Sequence, residues 1–195
     1  EDLNAVLNLE NVNEFMITGH SQGNPHAMAA AFHFKYRCIG LGLNAPLLPY
    51  DLTKEINIEG ALGYEQLKTT EELKSPLSAW WFFTIYLATD LFSPTVPLSA
   101  LIYTDEKVEE DTALVEMISY SIKRSVVRGS VGSTWETAKD VCYDWKFDPR
   151  KIETESICIW HASDDDLCPP EIGKWLSDYF KKKGANCGST KMPSN

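Results

Sequence analysis

The segment Glu14–Ala31, EFMITGHSQGNPHAMAAA, decides how the chain is read. Phe15-Met16-Ile17-Thr18 is a short apolar run with the character of a buried strand. The alanine-rich stretch from Pro25 to Phe34 is helix-forming, with its proline tolerated in a first turn. Between them Gly19-His20-Ser21-Gln22-Gly23 has the form G-x-S-x-G. A serine hydroxyl is a weak nucleophile until a base takes its proton and its oxygen is exposed to substrate. A tight strand-to-helix turn meets the second need, because it pushes the side chain out at the carboxyl end of the strand. Small flanking residues let strand and helix approach closely. Ser21 is therefore a candidate nucleophile, with Gly19 and Gly23 at the small positions. The Gln22 amide, next in the chain and near a helix N-terminus, is a candidate donor to an oxyanion. A Gly/Ser turn without chemistry shares the short pattern; the strand before it and the helix after it separate the two readings.

Working outward, Leu3, Val6 and Leu7 give a short helical stripe, and Asn11 to Asn13 reads as a turn. Cys38 to Leu43 is a second apolar run, ending at the loop signal Asn44-Ala45-Pro46. Strand, turn, helix and strand in that order make the two strands parallel neighbours in one sheet. From about Leu48 the character changes: prolines recur at Pro49, Pro76, Pro94 and Pro97, and acidic helical segments alternate with the aromatic cluster Trp80 to Tyr86. This stretch is expected to be a helical insertion. The α/β pattern then resumes with a helix over Thr134–Asp144, a buried strand over Ser156–Trp160 and a helix over Glu171–Lys182. Ile172, Trp175, Leu176 and Tyr179 lie on one face of that last helix, and the lysines and Gly184 provide its stop. The expected organisation is a core segment 1–47, a helical cap insertion 48–130 and a second core segment 131–195.

Composition narrows the function. The 195 residues are long enough for one domain with a sizeable core, and a net charge of −10 argues against a nucleic-acid partner. Lys181-Lys182-Lys183, the one cationic cluster, reads as charge at a helix C-terminus. No apolar run reaches the roughly 18 to 20 residues of a membrane span. The five cysteines are odd in number, widely spaced and without a C-x-x-C pair, so they suggest neither a disulfide framework nor a zinc site. They favour a reducing, cytoplasmic setting. Oligomeric state is not legible.

The Ser21 segment resembles the nucleophile elbow of the α/β-hydrolase superfamily, in which G-H-S-x-G is a frequent form. A second stretch, Ile157–Pro170, ICIWHASDDDLCPP, resembles the strand and loop that carry the acid of the family's triad, commonly H-G-x-x-D followed by a proline. Residue by residue, Ala162 stands where the glycine usually lies, Asp165 takes the place of the acid, and Pro169 follows. The stretch Thr134–Ile152 resembles the approach to that strand in family members with a helical lid, and the order Ser before Asp is the family's. Asp164 and Asp166 then read as solvated turn residues, and the triple Asp lacks the spaced ligands of a calcium loop.

The resemblance implies a partial α/β-hydrolase fold: parallel sheet strands, flanking helices and a helical cap. It implies a serine hydrolase cleaving an ester or related acyl bond of a small, apolar substrate through an acyl-enzyme, without metal or cofactor. Ser21 would attack, the Gln22 amide would help hold the oxyanion, and Asp165 would orient a histidine. None of His20, His26, His33 and His161 matches the family's catalytic position, a Gly-His after the last strand. The expectation is an internal portion of a longer hydrolase, without the N-terminal strands, the second oxyanion donor or the histidine segment, and with the Ser21 strand at an edge of the sheet. The aromatics Trp80 to Tyr86 would belong to the cap, most of them as packing. The rival is a non-catalytic α/β-hydrolase-like protein that binds a ligand or acts as a scaffold. Transfer to an acceptor other than water, or carbon–carbon cleavage, is compatible with the same motif. An Asp-nucleophile mechanism is disfavoured by serine at position 21.

Overall fold

A computed structural model describes residues 2–56, 111–125, 145–165 and 168–192. The chain divides into two compact units, one of Glu1–Glu71 with Lys139–Asn195 and the other Glu72–Ala138. The expected helix over 134–144, the aromatic cluster 80–86, Asp166 and most of the expected insertion lie outside the described residues.

Among the described residues the first unit is built on a four-stranded sheet in the order β1-β2-β3-β4, parallel throughout. Helix α1 (Asp2–Leu9) precedes β1 (Phe15–His20). Helix α2 (Gly23–His33) crosses from β1 to β2 (Cys38–Asn44), followed by the short helix α3 (Tyr50–Thr53). Strand β3 (Ser156–Ala162), helix α5 (Pro170–Lys182) and β4 (Asn186–Met192) complete the unit. In the second unit α4 (Thr112–Ser125) begins at Asp111, whose Oδ1 accepts the Leu114 N–H at 3.1 Å, a side-chain cap on a free helix donor.

Burial follows position in the sheet. Central β2 is buried at Cys38, Gly40, Leu41, Gly42 and Leu43, as a strand covered on both faces must be. In β3, Ile157, Ile159 and His161 are buried and Trp160 between them is exposed. The core joins Ala27, Met28 and Ala31 of α2 and Ile172, Leu176 and Phe180 of α5 to Leu41, Leu43, Ile157 and Ile159 of the sheet. Each fully buried large side chain contributes roughly 1.5–3 kcal/mol. Strands β1 and β4 are the edges among the described residues, and Met16 on β1 is 72% exposed.

Strand β4 is absent from the sequence reading. Its residues, NCGSTKM, are polar, include a glycine and carry no apolar alternation. Its register along β3, from Ser156↔Asn186 to Ala162↔Met192, is a tertiary outcome. Among the described residues no helix is long and apolar enough to cross a membrane.

Candidate active site

Strands of a parallel sheet all present their carboxyl ends at one edge, and both candidate residues stand there. Ser21 follows β1 directly, and Asp165 lies three residues beyond β3.

Ser21 has φ 48°, in the left-handed region. For a residue with a Cβ this conformation costs roughly 1–2 kcal/mol and needs surrounding structure to hold it. Its N–H donates to the Asn44 carbonyl at 3.0 Å, so the turn is tied across to the end of β2. Its own carbonyl accepts the Asn24 N–H at 3.0 Å and the Asn24 side-chain amide at 2.7 Å. The same amide nitrogen reaches the Asn44 carbonyl at 2.8 Å and the Ala45 carbonyl at 3.2 Å. Gln22 is the N-cap of α2 with φ −61°, ψ −14°, where the backbone N–H groups have no partner within the helix. Ser21 is half-buried and Gln22 exposed.

The two flanking glycines do different work, which corrects their equal treatment in the sequence reading. A Cβ on Gly19 would lie 2.7 Å from Asn24 Cα and from the Gly23 carbonyl oxygen, so strand and helix meet there with no room for a side chain. A Cβ on Gly23 would meet nothing within 4 Å. The close approach rests on Gly19 alone.

The loop after β3 is held by side chains. Asp165 Oδ1 accepts the Cys168 N–H at 2.8 Å. His161 Nε2 lies 2.7 Å from the Cys168 carbonyl oxygen and 3.4 Å from Asp165 Oδ2. A carbonyl can only accept, so the proton is on Nε2. Nδ1 is buried without a hydrogen-bond partner among the described residues, and a Cβ on Gly173 would come within 2.5 Å of it. His161 thus commits Nε2 to the loop and buries Nδ1 against α5 at Gly173. Asp164 is exposed, as expected of a turn residue.

Cys168 joins the two halves of the site. It is buried against Ala45 and Leu47, in the loop that follows β2. Burial pushes its thiol up to about 11, the Asp165 charge adds to the rise, and a hydrogen bond with the Ser21 hydroxyl draws it partly back. The structure therefore links Ser21 and Asp165 through one residue, Cys168, which the sequence reading passed over. Asn24 and Gly173 were passed over too. Nothing local marked any of the three.

No protein-family model and no curated protein sequence matches the chain. Solved structures do. A hydrolase from Oleispira antarctica is 18% identical with a TM-score of 0.54, over 100% of this chain and 61% of its own. A crystal structure of an esterase is 12% identical with a TM-score of 0.54, over 99% and 58%. A homoserine O-acetyltransferase from Bacillus anthracis is 15% identical with a TM-score of 0.52, over 99% and 57%. The chain spans about 60% of the length of the solved structures it matches. At such identities the likeness is one of fold alone, and the shared fold is a partial α/β-hydrolase fold, a parallel sheet with flanking helices.

Proposed function

We propose that the protein is a serine hydrolase that cleaves an ester or related acyl bond of a small, apolar substrate through an acyl-enzyme. The observation that carries this reading is Ser21 at φ 48°, between the carboxyl end of β1 and the N-terminus of α2. A turn with that backbone conformation places the hydroxyl at the carboxyl end of the strand, beside the amides of a helix start, where it also hydrogen-bonds the Cys168 thiol. The esterase and the hydrolase of the same fold support hydrolysis, and the acetyltransferase supports the broader class of acyl transfer.

In this mechanism Ser21 Oγ attacks the acyl carbon as a histidine acting as general base takes its proton. The Gln22 N–H donates to the oxyanion, and Asp165 orients the histidine and stabilises its cation. The histidine returns the proton to the leaving alcohol. Water, activated by the same base, then releases the acid and restores Ser21.

The test uses a phosphonate ester probe on the full-length protein, followed by intact mass and peptide mapping. One adduct at Ser21 is expected. Ser21→Ala should lose the adduct and lower esterase turnover by ~10⁴-fold or more, with the far-UV spectrum unchanged. Turnover retained in Ser21→Ala would remove Ser21 from the mechanism. A folded full-length protein without an adduct would favour a non-catalytic ligand binder.

A further inference from the structure

Asn24 is the first residue after the G-x-S-x-G motif and is fully buried. Its side-chain nitrogen faces three carbonyl oxygens: Ser21 at 2.7 Å, Asn44 at 2.8 Å and Ala45 at 3.2 Å. The amide has two hydrogens, so the third carbonyl shares one of them. The other face of the amide, Oδ1, is buried with no donor among the described residues. Turning the amide over would set an oxygen against three oxygens, so this orientation is the sole workable one even though it leaves Oδ1 unsatisfied. Two of the three acceptors belong to residues with left-handed backbone, Ser21 at φ 48° and Ala45 at φ 47°. Both residues are also linked to the neighbouring strand: Ser21 N–H to the Asn44 carbonyl, and Ala45 N–H to the Trp160 carbonyl, each at 3.0 Å.

We propose that Asn24 is the positioning residue of the candidate nucleophile: by holding the Ser21, Asn44 and Ala45 carbonyls together it keeps Ser21 in its left-handed conformation and sets its place relative to the β2–α3 loop. The inference rests on the hydrolase reading for its catalytic consequence, and on the hydrogen bonds alone for its conformational one. An alanine at position 24 leaves three carbonyls facing an empty space and removes the side-chain link between the Ser21 turn and the end of β2. The Ser21 backbone then relaxes toward negative φ, and the hydroxyl turns away from the helix start. The Asn24 side-chain amide bonds main-chain carbonyls, so its effect on reaction is through the Ser21 backbone.

An aspartate at the same position separates this role from simple packing. A neutral carboxyl has one hydrogen to donate to the carbonyls, whereas a carboxylate opposes three oxygens in a buried site. No charged side chain is hydrogen-bonded or ion-paired to Asn24 among the described residues to offset it. The folded-state pKa of that aspartate is therefore raised above its unfolded value of roughly 3.9. The stability it supports is present below that value and is lost as pH rises through the folded pKa.

The experiment measures backbone couplings that report the Ser21 φ in isotopically labelled protein, with melting temperature against pH and the rate of phosphonate labelling at Ser21. In Asn24→Ala the couplings should move from the positive-φ range to the negative, and labelling should slow ~10-fold or more at temperatures where the variant is folded. In Asn24→Asp the melting temperature should fall steadily as pH rises from 4 to 7, and the Ser21 couplings should be native at the acid end. If Asn24→Ala does not fold, the acid end of the Asn24→Asp series decides in its place. Native couplings and an unchanged labelling rate in a folded Asn24→Ala would overturn the proposal, as would a pH-independent deficit in Asn24→Asp. A wild-type protein that never labels would count against the hydrolase reading, and the couplings would still decide the role of Asn24.

Discussion

The Ser21 turn and the Asp165 loop stand at the same edge of one sheet but are held in place by different physics. The turn is a steric device. Strand and helix meet at Gly19, Ser21 takes a conformation that a side chain disfavours, and main-chain carbonyls gathered around Asn24 lock it. The loop is a polar device. His161 and Asp165 reach in to grip the Cys168 backbone from both sides, and Gly173 makes room for the imidazole. A steric device fails abruptly when an atom is added, because backbone cannot move aside. A polar device fails gradually, because side chains can rotate and water can replace part of what is lost.

The sharpest way to break that contrast is Gly19→Ala. Its Cβ would sit 2.7 Å from Asn24 Cα and 2.8 Å from Asn24 N, both backbone. We expect a loss of about 3 kcal/mol or more in denaturant unfolding. A loss below about 1 kcal/mol would mean that the strand–helix contact is looser than the distances state.

Next in size is a pH effect at the junction of the two devices. Burial pushes the Cys168 thiol up from the ordinary cysteine value of 9.0 to about 11 in the fold. The folded state thus favours the neutral thiol. Its stabilisation is complete below pH 9 and is lost as pH rises toward 11, by an amount on the order of 2–3 kcal/mol. Melting curves of wild type and Cys168→Ala across pH 8–11 should converge as the pH rises. Parallel curves would place the thiol in a more solvated setting.

Gly173→Ala probes the polar device. The added Cβ would meet His161 Nδ1 at 2.5 Å and Cγ at 3.3 Å, a side chain and not backbone. The ring must tilt and weaken its hold on the Cys168 carbonyl, at a cost of about 2 kcal/mol. Amide exchange should quicken first at Cys168. Exchange quickening evenly over the sheet would show that the loop is no separate unit.

The smallest effect is predicted where the sequence alone suggests a large one. Gly23→Ala places a Cβ in open space at the first residue of α2, so thermal melts should change by no more than about 0.5 kcal/mol. A loss as large as that of Gly19→Ala would restore the equal roles that the motif implies.

The chain's local chemistry carried the parallel core. Phe15–Thr18, Cys38–Leu43 and Ser156–Trp160 are apolar runs bounded by turn signals, and each is a strand. Helices α2 and α5 were legible for other reasons, α2 from its helix-favouring alanines and α5 from buried positions that recur at helical spacing. The resemblance of GHSQG and of HASDDD to family motifs marked Ser21 and Asp165 as candidates. Strand β4 was not legible, because an edge strand with one neighbour needs backbone pairing more than apolar side chains, and NCGSTKM shows that.

Sequence by itself thus determined most strands and helices of the core, because short-range periodicity and turn chemistry are written residue by residue, while resemblance to family motifs singled out the serine and the acid. Only the tertiary structure decided that Gly19 has no room for a side chain while Gly23 has, that Asn24 gathers carbonyls from two segments, that His161 turns inward, and that Cys168 stands between Ser21 and Asp165. The last three depend on atoms brought together from separate parts of the chain, Asn24 with Asn44 and Ala45, His161 with Gly173, Cys168 with Ala45 and Ser21. Distances of that kind have no local signature, since they are set by how the sheet and its helices pack.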